Sequence, residues 1–330
     1  LDMADANTIA ISGKYSSGPL DDYSFVRIFD WIGNVWVQRG SDIVSEAAFD
    51  AGNEVSMPGP NTVAIGAWLN DQNGNSSGHV RVFEWNGSSW IQKGIDIDGD
   101  AAYHNLGFSV SMPDPNILAV GATGFNTSSG LTRIFSWNGF AWVQKGLDLV
   151  GEASNDNAGW SVSMADSNTV AIGAPLNDGN GSISGHTRVF IWNGMAWVQK
   201  GTDIDGEAAG DYSGVSVSMP SPDVIAIGAW ANDDNGVEAG QTRVYKWNGS
   251  NWIQEGFDID GVAPNDESGR DICMPDEYTV AIGAYNNDSG GMDAGHARVF
   301  KMRGVWGTVY NDINSNCVWD SEVGIAGRMA

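Results

Sequence analysis

Apolar residues recur along the chain in short runs, each bounded by Gly, Asn, Asp or Ser. From Gly159 to Gly201 the runs are GWSVSM, VAIGA, HTRVFIW and WVQKG, separated by ADSNT, a polar loop (LNDGNGSISG) and NGMA. Four short apolar runs with turn residues between them predict four antiparallel strands in a meander. The unit returns: VAIGA at Val170 recurs at Val63 and Val280, as LAVGA at Leu118 and as IAIGA at Ile225. Gly66, Gly121, Gly173, Gly228 and Gly283 lie 55, 52, 55 and 55 residues apart. A fixed period of this length with four strands per unit predicts an all-β fold, a β-propeller of four-stranded antiparallel blades. Six units are visible, and the closed ring is expected to hold six or seven blades.

The end units are irregular. Leu1–Met3 reads as the tail of a first strand, and the Trp-Asn-Gly hairpin of the sixth unit degrades to Met302-Arg-Gly-Val-Trp306. An upstream segment is expected to complete both defects and close the ring, which pairs exposed strand edges. Leu1 is not an initiator Met, so the chain is expected to be a mature or cut piece of something longer. The expected division is a propeller over 1–304 and a linker with the start of a following β module over 305–330.

The hairpin Trp85-Asn-Gly-Ser-Ser-Trp90 recurs at Trp137–Trp142, Trp192–Trp197 and Trp247–Trp252, and in altered form at Trp31–Trp36. Asn-Gly suits a turn that needs positive φ, and the paired indoles are expected to pack between blades rather than form a sugar platform. Arg27, Arg81, Arg133, Arg188, Arg243 and Arg298 share one repeat position, and Arg39, Lys93, Lys145 and Lys200 another. That regularity predicts structural ion pairs.

With 41 acidic and 16 basic residues the net charge is −25. This argues against nucleic acid as a partner, since phosphate binding needs a basic face. It fits calcium, cationic partners, a saline extracellular medium, or solubility alone. No apolar run reaches the ~20 residues of a membrane span, so no direct membrane insertion is expected. Two cysteines do not make a disulfide framework; Cys317 is left open to pair with Cys273 or with a cysteine elsewhere.

Removing the structural basics leaves two sets of acidic loops. One joins second to third strands and carries Asp71, Asp178, Asp233 and Asp288; the other joins blade to blade and carries Asp98, Asp205 and Asp260. In a four-stranded meander both sets emerge on one face, which is the expected binding face. Calcium is one reading of these Asx-rich loops and ordinary turn chemistry the other. Near the end, Asp312, Asn314, Asn316 and Asp320 match positions one, three, five and nine of a calcium loop, with Glu322 one residue early and Cys317 in place of the turn glycine. His79, His186 and His296 share one repeat position; spread around a ring they cannot bind one metal together, so a surface or packing role is expected. No nucleophile elbow, phosphate loop or dinucleotide fingerprint appears, and no acid breaks the repeat as a catalytic pair would. A non-enzyme is expected.

The pattern G-x-SVSM…VAIGA…RVF-x-WNG, with Gly107-Phe108-Ser109 and Gly173-Ala174-Pro175, resembles the FG-GAP repeats of integrin-α-like propellers over about residues 1–302. The calcium loop of integrin-type repeats has no counterpart in the short turns at Asn116 and Asn168. The segment Gly307–Asp312 with Gly324–Gly327 resembles the start of a B-type repeat of bacterial surface adhesins, a calcium-stabilised stalk module. Together the two resemblances imply a secreted or cell-surface protein, and the second implies calcium as a possible cofactor. The expected role is an extracellular adhesive or assembly module that binds protein or glycan on a cell surface, or copies of itself, through the acidic loop face. A polysaccharide lyase or glycosidase with its site at the central channel mouth is the alternative. A purely structural spacer in a filament is a third.

Overall fold

Thr-Val-Ala-Ile-Gly-Ala is buried along its whole length in blades 2 and 4, because this second strand has a strand on each side and another blade over each face. The computed structural model describes residues 1–15, 22–48, 50 and 54–302. Among them are six antiparallel sheets, five of five segments and one of three. Blade 4 is representative: Ser161–Asp166 pairs Thr169–Ala174, which pairs His186–Trp192, which pairs Trp197–Gln199. Blades 2, 3 and 5 repeat this order from Glu54, Leu106 and Ser216, blade 1 from Asp2, and blade 6 is described as far as its third strand, His296–Lys301. The one helical turn, Phe125–Ser128, has Asn126 and Thr127 at φ 46° and 56° and is not a regular helix. The four-stranded propeller is therefore as expected, with six blades. The fourth strand of blade 6 and the whole of 305–330 lie outside the described residues.

Each complete blade holds one element the sequence pattern hides. After the Trp-x-Gln strand the chain turns at a glycine (Gly201, φ 82°) and returns to the same third strand through two more residues, Ile204–Asp205. The counterparts are Ile43–Val44, Ile97–Asp98, Leu149–Val150 and Ile259–Asp260. The outer edge of a blade is thus a broken strand. Asp98, Asp205 and Asp260 belong to it, opposite His79, His186 and Gln241, rather than to the blade-to-blade loop.

Blades are joined through backbone and small residues near the axis. A Cβ on Gly66, Gly121, Gly173 or Gly228 would strike the carbonyl oxygen of Gly107, Gly159, Gly214 or Gly269 in the next blade. The partner glycines need positive φ there (84° at Gly159, 88° at Gly214). The serine of each S-V-S-M run accepts the amide of the next blade's methionine: Ser56 from Met112 (3.0 Å), Ser111 from Met164 (3.0 Å), Ser163 from Met219 (3.0 Å) and Ser218 from Met274 (2.8 Å). In blade 1 Asp2 plays this part for Met57 at 2.6 Å. Apolar clusters fill the wedges between, such as Val80, Val82 and Ala64 of blade 2 with Leu106, Leu118 and Val120 of blade 3. Each such side chain contributes about 1.5–3 kcal/mol by leaving water.

The rim is fastened by the hairpin tryptophans, as expected. Trp90, Trp142, Trp197 and Trp252 donate their indole N–H to the carbonyls of Arg39, Lys93, Lys145 and Lys200 in the preceding blade, at 2.7–3.0 Å. Those basic side chains reach forward in return. Lys145 Nζ donates to Ser167 O and Asn168 Oδ1 (2.5 and 2.8 Å) and lies 5.3 and 5.2 Å from the Trp192 and Trp197 rings. In the turn itself only the glycine has positive φ (96° at Gly194); Asn193 acts instead through Oδ1, which accepts the amides of Met195 and Ala196.

Candidate binding face and channel mouth

The two loop sets share one face. Buried Asn70, Asn177, Asn232 and Asn287 donate Nδ2 to Asp50, Asp156, Asp211 and Asp266 at 3.1, 3.1, 3.3 and 2.9 Å. The same carboxylates accept backbone amides of Ala47, Ala153, Ala208 and Ala263, so the loop entering a blade is tied to the loop between its second and third strands. Asn73, Asn180 and Asn235 then bond the carbonyls of Gly99, Gly206 and Gly261, tying in the exit. Blade 3 lacks this pair: His104 fills the aspartate position, with its ring 5.2 Å from Phe125.

Asp71, Asp178, Asp233 and Asp288 lie exposed on this face. Each gives Oδ1 to the amide five residues on, Ser76, Ile183, Glu238 or Asp293, at 2.7–2.8 Å. Those acceptors stabilise residues at positive φ (49–57°), so one carboxylate oxygen closes the loop. Asp98, Asp205 and Asp260 are set back at the blade edge; burial and the charges of Asp96, Asp203 and Asp258 push their carboxyls upward. The candidate calcium residues Asp312, Asn314, Asn316, Asp320 and Glu322 lie outside the described residues.

Inward of the loops, the channel opens through a cavity of about 510 Å³ lined by residues of several blades. Four of its lining residues are aromatic, Phe108, Trp160, Tyr212 and Trp230, and Trp68 adjoins Phe108 outside that lining. Trp68 and Phe108 stand 5.7 Å apart, Phe108 and Trp160 4.7 Å, and Tyr212 and Trp230 5.0 Å. Arg270 continues the series, 5.2 Å from Trp230 and 4.9 Å from Tyr285. Glu267 fixes it, accepting Arg270 Nη1 and Asn286 Nδ2 at 2.8 Å each. A hydrogen bond to Glu267 pushes the Tyr285 phenol upward. Deeper in the channel, blades 3, 4 and 5 present Ser109, Ser161 and Ser216, whose hydroxyls donate to the next blade's glycine carbonyl. Blades 2 and 6 carry Glu54 and Asp271 at that position. Desolvation by the channel wall, with Asp271 adding its charge, pushes Glu54 up to about 7.

Sequence reading missed the aromatic wall. Its residues occupy three positions, one after the first-strand glycine (Phe108, Trp160, Arg270), one after the second strand (Trp68, Trp230, Tyr285) and one two residues before the first-strand glycine (Tyr212), where the repeats differ. Recurrent features drew attention to the hairpin tryptophans instead. The available signal was aromatic or arginine replacement at a position otherwise free to vary.

A family model described as the FG-GAP repeat matches residues 151–190 and 197–245, that is, most of units 4 and 5. The molecule is thus a six-bladed β-propeller, with the FG-GAP match confined to residues 151–245. No curated protein matches the chain in sequence. Among solved structures it is similar to the β-propeller domain of the Trilobed protease from Pyrococcus furiosus, described as having an open velcro topology (9% identity, 90% of this chain and 79% of that one, TM-score 0.53). It is also similar to the Dos1 propeller (14% identity, 90% and 67%, TM-score 0.51). At these identities the likeness is one of fold. No helix among the described residues is long and apolar enough to cross a membrane.

Proposed function

We propose that this propeller is a non-enzymatic, extracellular binding module of a surface adhesin or surface assembly, and that its ligand enters the channel mouth on the acidic loop face. The observation that carries this reading is the set of Phe108, Trp160, Tyr212 and Trp230 around a 510 Å³ opening, ending in Arg270. Flat rings beside fixed carboxylates suit a saccharide, whose C–H faces stack and whose hydroxyls bond, or a protein segment bearing cationic or aromatic side chains. The exposed Asp71, Asp178, Asp233 and Asp288 give the loop face negative charge and favour cationic partners over anionic ones. Calcium is a proposed cofactor of the loops or of the 312–322 segment. The test is a glycan and matrix-protein array with and without calcium. Retention of a glycan or protein supports the reading; an array with no retained ligand, beside a chain that self-associates, favours a filament spacer.

Glu54 beside Asp271 favours the second reading, an enzyme at the same mouth. A carboxyl pushed up to about 7 with a second carboxyl in the same cavity is the arrangement of an acid–base pair. Prolonged incubation of any retained glycan with the protein decides: turnover lost in Glu54→Gln supports the enzyme, and intact glycan the binding module.

A further inference from the structure

His79 and His186 are each 1% exposed, sealed at the seam between two blades. Each faces two carboxylates: Glu46 and Asp96 around His79, Glu152 and Asp203 around His186, with the three candidate ligand atoms within 4.8 Å of one another. The glutamate comes from the preceding blade's exit, the histidine from the first residue of the third strand, and the aspartate from the turn before Ile97 or Ile204. His186 Nδ1 stands 4.0 Å from Glu152 Oε2 and 3.9 Å from Asp203 Oδ2, too far for hydrogen bonds. The remaining oxygens are already engaged. Glu152 Oε1 faces Arg188 Nη1 at 3.6 Å, and Asp203 Oδ1 accepts Gln199 Nε2 at 2.6 Å. Around His79 the same supports recur, Arg81 on Glu46 at 3.7 Å and Gln92 on Asp96 at 2.6 Å. His79 Nδ1 has no hydrogen-bond partner among the described residues, and at His186 the same holds for Nε2, the nitrogen other than the one facing the acids.

The other blades serve as internal controls. In blade 5 the histidine is Gln241; the acids Glu207, Asp234 and Asp258 still converge, but the amide donates into them, 3.0 Å to Glu207 and 3.4 Å to Asp234. Blade 3 has Leu131, and Arg133 takes both Asp148 and Asp100. In blade 1 Arg27 pairs Asp42 through two bonds of 2.9 and 2.8 Å. In blade 6 Val262 occupies the repeat position that the glutamate has elsewhere. Where the position is not histidine, protein donors satisfy the acids. Where it is histidine with a glutamate, a gap bounded by one imidazole nitrogen and two inward carboxylate oxygens is left.

We propose that the seams of blades 1/2 and 3/4 each bind one divalent transition-metal ion, through Glu46–His79–Asp96 and Glu152–His186–Asp203. One imidazole and two carboxylates suit zinc or its first-row neighbours, with water in the remaining position. Ligand atoms around such an ion stand about 3–4 Å apart, the spacing found at His186. Gln199 and Arg188 orient the two carboxylates, as supports behind metal ligands do. The ion would staple adjacent blades far from the channel mouth. This inference does not rest on the function proposed above. It departs from the expectation of a surface or packing role for His79 and His186: they do not share one metal, but each has its own pair of acids.

Zinc alone is the probe, titrated calorimetrically into chelator-treated, tag-free full chain. Two equivalents are expected for the parent, one for His79→Gln or His186→Gln, and none for the double variant. Glutamine is chosen because blade 5 accommodates it. Circular dichroism of the apo variants checks folding, and Asp96→Asn with Asp203→Asn is the second pair should the histidine variants misfold. A parent that takes up no zinc, or a folded double variant that keeps both equivalents, overturns the proposal.

Discussion

Blades 4 and 6 contain nearly the same three strands, yet they are packed very differently. Val189 in the third strand of blade 4 is 1% exposed, whereas its counterpart Val299 in blade 6 is 66% exposed. Blade 4 has the Trp197 strand and Ile204–Asp205 over its edge; among the described residues no strand covers blade 6 there. On the axis, Gly173 touches the Gly214 carbonyl of the next blade, while a Cβ on Gly283 would meet nothing nearer than 3.5 Å. A blade's burial is thus supplied largely from outside its own inner strands. The broken outer strand covers one side, and the glycine-paired seam of the following blade seals the other.

The largest contrast is expected from the axial glycines. Gly173→Ala should cost about 4 kcal/mol or more in urea unfolding, because the clash is with backbone of the next blade, whereas Gly283→Ala should cost about 1 kcal/mol or less. Equal costs would dissolve the comparison. Next come the hairpin indoles. Trp197→Ala removes a 9%-exposed ring and an inter-blade hydrogen bond and should lose about 3–4 kcal/mol; Trp36→Ala, at 43% exposure, should lose about half of that. Asp156→Ala strips the carboxylate from the loop tie of blade 4 and leaves the buried Asn177 Nδ2 without its acceptor, an expected loss of about 2 kcal/mol, with faster proteolysis of that loop.

The smallest effect carries a pH signature. Glu54 lines the channel and is reached by its water, although protein surrounds much of it. Its folded pKa, about 7, exceeds the ordinary 4.5, so the folded state holds the proton more tightly. The stability it contributes is present below the ordinary value and declines as pH rises toward 7. Glu54→Gln should therefore stabilise by about 1 kcal/mol at pH 8, discounted for channel water, and by nothing measurable at pH 4. Chemical denaturation at the two pH values checks the sign.

The blade count, strand order and shared loop face were legible because repetition multiplied a weak strand signal, and the recurring glycine marked the same inter-blade contact each time. The Trp-Asn-Gly hairpins were legible as packing elements for the same reason. Ile97–Asp98 and its counterparts were not: two residues carry no periodicity, and only pairing with a distant strand makes them part of the sheet. Averaging over repeats also concealed the channel mouth, since Phe108, Trp160 and Arg270 replace one another at a single position. The His79 cluster draws on residues 33 and 17 positions away, joined only when neighbouring blades meet.

The most direct test of the account is the affinity of an array-selected ligand for two variants, Trp160→Ala at the channel mouth and Trp90→Ala in a rim hairpin, both measured well below their unfolding temperatures. The account predicts a loss of at least about 10-fold for Trp160→Ala and parent affinity for Trp90→Ala. Parent affinity in Trp160→Ala, with the loss in Trp90→Ala, would contradict it and place the binding surface on the rim.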